Sequence, residues 1–305
     1  MSENNWQDEA KRVAEGIRRR VTEFTLKNGG GYLSQACSSA EILATLYTRV
    51  MKLGPSVAPP VPPPFGGVPG KNPNYTTGAG YNGPRKPELD RFFISPVHYA
   101  LVLYATLVET GRMAEEGLAM FNQDGSTVEM IGAEHSPGHE LMAGSLGQAL
   151  SQVIGIALGR RRKGETGRNF VFMSDGEFMI GQTWEAMETL SFYKLDSVIA
   201  YVDANGQSAD GRINEVMGIE PLKERLEAFG AVAVEVDGHN VEALAAAAET
   251  PHEGKPLVVI ARTNPYCGVE VLSKRAPKFH YIRFTKPGEK EALERFLVEK
   301  WGGQK

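Results

Sequence analysis

The feature that most limits what this chain can become is the stretch 171–211, which opens VFMSDGEFMIGQTWEA and closes SVIAYVDANGQSADG. Residues 170–173 and 198–202 are apolar runs rich in β-branched and aromatic side chains. Each ends in an acidic residue followed by turn formers, the signature of a strand buried on both faces of a parallel sheet. The segment between them, 180–193, has helical spacing, which predicts that Trp184, Met187, Leu190 and Phe192 face the sheet. The unit reads as β-turn-α-β. Sheets of this kind bind ligands beyond the carboxyl ends of their strands. The pattern puts Asp175 there after one strand, and Asp203 and Asn205 after the next.

A carboxylate and an amide oxygen brought together at that edge suit a hard divalent cation such as Mg2+ or Ca2+. Asp175 and Asn205 are thirty positions apart, the length that one crossover helix and a second strand require. Gly176 lets the backbone come close to a phosphate, and the start of the following helix offers N–H donors to it. On the residues alone, Ser-Asp-Gly and Asn-Gly can equally be plain turns after strands.

The same residues carry a resemblance. SDGE followed by DANGQSADG resembles the thiamine diphosphate signature, in which Gly-Asp-Gly is followed some thirty residues later by Asn. The longer run from Asp175 to Gly211 resembles the transketolases. Ser174 stands for the usual first glycine, one small residue for another. The resemblance implies that Asp175, Asn205 and the main-chain carbonyl of Gln207 bind the metal that bridges the diphosphate. It implies thiamine diphosphate as cofactor, with Mg2+ or Ca2+, and puts Gly144, Ser145, Leu146, Gly176, Glu177, Asn205 and His98 at the cofactor.

Composition sets wide bounds. A chain of 305 residues can bury a substantial core as one large or two modest α/β domains. Hydrophobic residues at 42% and charged residues at 23% are ordinary for a globular protein, and a net charge of −4 gives no reason to expect nucleic-acid binding. Cys37 and Cys267 have neither metal-ligand spacing nor the look of a disulfide framework, so a reducing cytoplasm is expected. The polar start MSENNWQDEAKRVAEG lacks a signal core, and no stretch reaches membrane-spanning length.

Taken in order, residues 4–27 read as an amphipathic helix with Val13, Ile17, Val21 and Phe24 on one stripe, ended by Gly29, Gly30 and Gly31. A second helix is expected over 38–52, capped by Ser38 or Ser39. Before it the family commonly has Gly-His-Leu-Gly-Gly-Ser-Leu-Ser, whose histidine helps to bind and polarise the sugar. Here the run is Gly31-Tyr32-Leu33-Ser34-Gln35-Ala36-Cys37-Ser38, with Tyr32 at the histidine's place. A phenol can donate a hydrogen bond but, with a pKa of about 10, shuttles protons poorly near neutrality. Residues 54–70, GPSVAPPVPPPFGGVPG, exclude helix and central strand and predict extended polyproline II and turns. They read either as a surface loop or as one that reaches a partner or narrows the site's mouth.

Asp90-Arg91-Phe92-Phe93-Ile94-Ser95 followed by His98 resembles the family block Asp-Arg-Phe-Ile-Leu-Ser-Lys-Gly-His, which implies a substrate or diphosphate role for His98, although Pro96-Val97 replaces the Lys-Gly pair. Gly144-Ser145-Leu146-Gly147-Gln148 matches the family's Gly-Ser-Leu-Gly-Gln and precedes a helix. Upstream, His135 is a candidate for a histidine the family usually has, and His139 can equally be a surface residue. Of two family glutamates five and ten positions after the metal-binding Asp, the second is Glu185 and the first is Ile180. Residues 231–236 and 257–261 read as further strands, separated by a helix over 241–249. The fold class is therefore α/β, a doubly wound parallel sheet flanked by helices. Asp237-Gly238-His239-Asn240 reads as mainly structural. Residues 262–280 correspond to a flexible family loop in which Phe279-His280 matches Trp-His, so His280 is expected near the diphosphate or substrate, with Lys274 a further candidate. A tail helix is expected over 289–301.

The resemblance implies that residues 1–305 form one diphosphate-binding domain. Complete transketolases carry a pyrimidine-binding domain and a third domain in the same chain, so the expected partner is a separate pyrimidine-binding/C-terminal subunit in an α2β2 assembly. The expected reaction is transfer of a two-carbon ketol unit from a ketose donor to an aldehyde, with His98, His280 and Tyr32 as its catalytic residues. The alternatives are a thiamine diphosphate-dependent carboligase or 2-oxo-acid decarboxylase or dehydrogenase subunit, which Tyr32 and Ile180 motivate, and a non-catalytic or regulatory cofactor-binding half.

Overall fold

The computed structural model describes residues 6–68, 72–209 and 211–302. Its centre is a sheet of five strands: β1 (Arg91–Ile94), β2 (Asn169–Ser174), β3 (Val198–Ala204), β4 (Val232–Asp237) and β5 (Leu257–Arg262), in the order β1-β2-β3-β5-β4. Every neighbouring pair is parallel. The predicted strands all form, and the apolar run before Ser95 adds an edge strand. Alternation explains the two-sided burial: Phe170, Phe172, Ile199 and Tyr201 enter one apolar cluster, and Val171, Met173, Val198 and Ala200 enter the other.

Helices cover both faces. α1 (Trp6–Lys27), α2 (Leu33–Thr45), α3 (Ala100–Glu109) and α7 (Val241–Ala247) fill the first cluster. α4 (Ala149–Arg162), α5 (Gly181–Phe192) and α6 (Leu222–Ala228) fill the second. The sheet is doubly wound, as expected. α8 (Glu289–Trp301) lies against α1, where Trp301 and Lys300 both reach Glu15. Within α1, Gly16 leaves room for the buried carboxylate of Glu109, which Arg12 and Arg20 bind at 2.8 and 2.6 Å. A Cβ at Gly16 would lie 2.2 Å from that carboxyl group.

Several expectations need correction. α2 starts at Leu33, not at Ser38, and closes with a π turn over Leu46–Val50. Ser38 and Ser39 are no caps; they are buried within the helix, where Ser39 donates to the Gln35 carbonyl and Ser38 reaches Asp203. Phe192 faces solvent at 77% exposure. It lies two residues past buried Leu190, about 200° round the helix from it. Residues 4 and 5 of the first predicted helix lie outside the described residues.

The described part of the proline-rich segment forms no helix and no strand beyond an isolated bridge, Pro64 to Ser126. Proline offers only its carbonyl, and those carbonyls are used: Pro59, Pro60 and Pro63 accept from Tyr81, the Ala114 amide and Thr127. The segment is pinned along the surface; residues 69 and 70 of the predicted loop lie outside the described residues. A two-residue antiparallel pairing, not foreseen, joins Gly30 and Gly31 to Arg283 and Ile282.

Candidate active site

β2 and β3 are adjacent, and their register pairs Ser174 with Asp203. Asp175 and Asn205 therefore leave the sheet at the same edge. A 3₁₀ turn over Asp175–Met179 follows β2, capped reciprocally by Ser174 and Glu177. The two strand ends are joined directly, because the Gly206 amide donates to Asp175 Oδ2 at 2.8 Å. Asn205 is held in one orientation: its Nδ2 donates to Tyr99 Oη at 3.2 Å and Asp203 Oδ2 at 3.3 Å, while its Oδ1 accepts from the Gln207 amide at 2.9 Å. Asp203 is fully buried and accepts from Ser38 at 2.6 Å, Tyr99 at 2.8 Å and Thr263.

These groups open into a cavity of about 550 Å3, whose lining includes Asp175, Gly176, Asn205, Gln207, Gly144 and Leu146. Burial, and then the nearby Asp203 carboxylate, push Asp175 up to about 8. No cluster of three His, Cys, Asp or Glu side chains that could hold a metal occurs among the described residues. A cation here would instead draw on the Asp175 carboxylate, the Asn205 amide oxygen and main-chain oxygen, an all-oxygen set that fits a hard ion and would relieve the buried carboxyl pair.

The same cavity gathers three rings from distant parts of the chain. Tyr32, ahead of α2, lies 5.3 Å from His98 and 5.6 Å from His280, and the two histidines are 5.0 Å apart between centroids. Burial, followed by the neighbouring His280, pushes His98 down to about 3, so it is neutral across the physiological range. Burial also holds the Tyr32 phenol above its ordinary value. Apolar side chains, among them Val97, Met179, Ile180 and Phe279, complete the wall.

Two predicted cofactor residues sit apart from the lining. Ser145 is exposed on the 144–148 turn, between two residues that do line the cavity. Glu177 is fully buried behind it, accepting from Ser95, from the Ser174 amide at 2.9 Å and from the Gly147 amide at 3.2 Å. It fastens the 144–148 turn to the ends of β1 and β2. His135 binds Glu129 at 3.1 Å and packs on Phe65 rather than lining the cavity. His139 is 1% exposed, which excludes the surface reading, and burial pushes it down to about 4. His239 is structural as expected, bridging Glu41 and the Asn264 amide. Lys274 and Glu185 are exposed and outside the cavity.

The sequence did not point to Tyr99, Ser38 and Thr263 as the partners that orient Asp203 and Asn205. A buried carboxylate at a strand end signals that such donors exist, but these lie 104, 165 and 60 residues away.

Comparison with known proteins gives a consistent result. Residues 78–269 match the family described as transketolase, thiamine diphosphate binding domain. A transketolase family protein of Sinorhizobium fredii is 33% identical over 286 residues, 92% of each chain. One of the subunits of the apulose-4-phosphate transketolase of Actinobacillus succinogenes is 29% identical over 280 residues, 90% of this chain and 91% of that one. The solved transketolase of Leishmania mexicana superposes with a TM-score of 0.67 at 22% identity, over 97% of this chain and 45% of its own length. The chain thus spans less than half of that solved transketolase but nearly all of the two bacterial relatives.

Proposed function

This chain belongs to the transketolase family, as its thiamine diphosphate-binding part, and from that premise we propose that it is the diphosphate-binding subunit of a two-chain, α2β2 enzyme of the cytoplasm. A separate pyrimidine-binding subunit completes the site, which moves a two-carbon ketol unit from a ketose or ketose phosphate to an aldehyde. The observation that carries this reading is the junction of Asp175 and Asn205 at one sheet edge, in the same cavity as the His98, Tyr32 and His280 rings. The relative named as one subunit of an apulose-4-phosphate transketolase supports the partner and the substrate class.

When bound, thiamine diphosphate supplies a nucleophilic carbon that can attack a ketose carbonyl, which is the hard part of the chemistry. The chain's own residues bind and orient. Asp175, Asn205 and the Gln207 carbonyl would hold Mg2+, or Ca2+ in its place, and the cavity-lining residues Gly144, Leu146, Gly176 and His98 would meet the cofactor, with Ser145 on the same turn. Glu177 serves the cofactor through the Gly147 amide rather than by contact. Neutral His98 acts as a hydrogen-bonding group rather than a cation, and Tyr32 as a phenol donor, which leaves His280 as the ring placed to exchange a proton with substrate.

Titration calorimetry of thiamine diphosphate with Mg2+ tests the reading, on the chain alone and on the complex co-purified with its partner. Tight binding in the complex, weak binding to the chain alone and loss of both in Asp175→Ala are expected. No binding in an intact complex would sink it. A donor screen then separates ketoses from 2-oxo acids; turnover of 2-oxo acids without a ketol hydroxyl, and of no ketose, would assign the carboligase or decarboxylase chemistry instead.

A further inference from the structure

The first turn of α2 reaches the far end of the chain. The Ser34 hydroxyl donates to the carbonyl of Phe279 at 2.8 Å, and the Gln35 side-chain amide donates to the carbonyl of His280 at 3.0 Å. The donors are consecutive, the acceptors are consecutive, and both donor side chains are almost fully buried at 4% exposure. Their carbonyl partners cannot donate, so the Gln35 amide has one orientation. Directly beyond, Gly30 and Gly31 pair with Arg283 and Ile282. Residues 279–283 are thus tied to residues 30–35 by side chains and by backbone. The ring that this segment carries, His280, lies 5.0 Å from His98 and 5.6 Å from Tyr32.

We propose that Ser34 and Gln35 are positioning residues: together they clamp the chain at Phe279 and His280 and so hold the His280 ring in the cavity wall against His98 and Tyr32. The family pattern quoted above has glycines at these two places, and glycine has no side-chain donor. The clamp therefore makes a fixed wall of a segment that the resemblance leads one to expect as a flexible loop. Only the consequence for turnover rests on the function proposed above; the clamp itself rests on the hydrogen bonds.

The test uses the full chain first. In the Ser34→Ala/Gln35→Met double variant, the ring-to-ring nuclear Overhauser contacts of His98 and His280 should vanish. Amide exchange over residues 280–283 should quicken by roughly 10-fold, the effect of losing two buried hydrogen bonds. Ser34→Thr, which keeps the hydroxyl, should retain both signals. In the complex, with hydroxypyruvate as ketol donor, the double variant should lose about 10-fold in kcat, while its Kd for thiamine diphosphate stays within about twofold. Unchanged ring contacts and exchange would overturn the clamp, and lost contacts with unchanged kcat would overturn its positioning role. Failure of the wild-type complex to turn over hydroxypyruvate would count against ketol transfer, and the two measurements on the chain would still decide the clamp. Should the double variant not fold, the single variants Ser34→Ala and Gln35→Met carry the same measurements.

Discussion

Asp175 is buried beside a second carboxylate, and this placement sets both its charge and its cost. Its folded pKa of about 8 lies above the ordinary value of 3.8, so the folded chain holds this proton more tightly than the unfolded one. That contribution to stability is complete below about pH 4 and is lost as the pH rises through 8. Asp175→Asn cannot ionise and keeps an oxygen for the Gly206 amide. It should melt several degrees above wild type at pH 8 and close to wild type at pH 4, read by calorimetry without cofactor. The same variant should lose Mg2+-dependent cofactor binding, which would make the carboxylate a site kept at the expense of the fold. His98 is displaced in the other direction. Its folded pKa of about 3 lies below the ordinary 6.5, so the folded state favours the neutral ring, and stability falls as the pH drops from 6.5 towards 3. Its ring resonances should show no titration between pH 5 and 9; a midpoint above pH 5.5 would contradict the buried placement.

At the scale of elements, the 144–148 turn depends on a residue that never reaches the cavity. Glu177 accepts four hydrogen bonds, from the Ser95 hydroxyl, the Gly147 amide and both the amide and the hydroxyl of Ser174. Glu177→Gln puts an NH2 group where one of those donors points, a loss of about 1–3 kcal/mol. Faster amide exchange over 144–148 is expected, with roughly 10-fold weaker cofactor binding in the complex; unchanged exchange would show that the turn stands without it. Gly78, eight residues past the proline-rich segment, is packed so closely that an added Cβ would lie 1.7 Å from the Ser136 carbonyl oxygen. Gly78→Ala should cost about 1–3 kcal/mol in urea unfolding, because rigid backbone must give way. The strands and most helices were legible in the sequence, since apolar runs and 3.6-residue spacing are local signals: β2, β3, β5 and α8 lie where they were expected. The start of α2 was not, because its serines look like caps until Asp203 is seen 165 residues away. Phe192 was misplaced because its apolar character outweighed its angular position.

For the whole molecule, the site is a meeting of segments that the chain keeps far apart. The Asp175 and Asn205 pair was readable because one crossover unit holds both members, whereas the ring triangle needed residues 32, 98 and 280 to converge. Only the resemblance connected those three. Among the described residues no helix is long and apolar enough to cross a membrane. If the cofactor binds the folded complex and not its unfolded chains, then thiamine diphosphate with Mg2+ at a hundredfold over its Kd should stabilise the complex by about 2.7 kcal/mol. Thermal shift measures this, and the Asp175→Ala complex should show no such gain. The pairing of residues 30 and 31 with 283 and 282 has a temporal meaning as well. During synthesis from the N-terminus, helices and the first sheet strands can form while the later residues are still unmade. The wall that holds His280 cannot close until residue 283 has left the ribosome. A nascent chain stalled earlier would present the Asp175 and Asn205 edge without the ring on its far wall, so translation itself orders assembly: scaffold first, reaction chamber last.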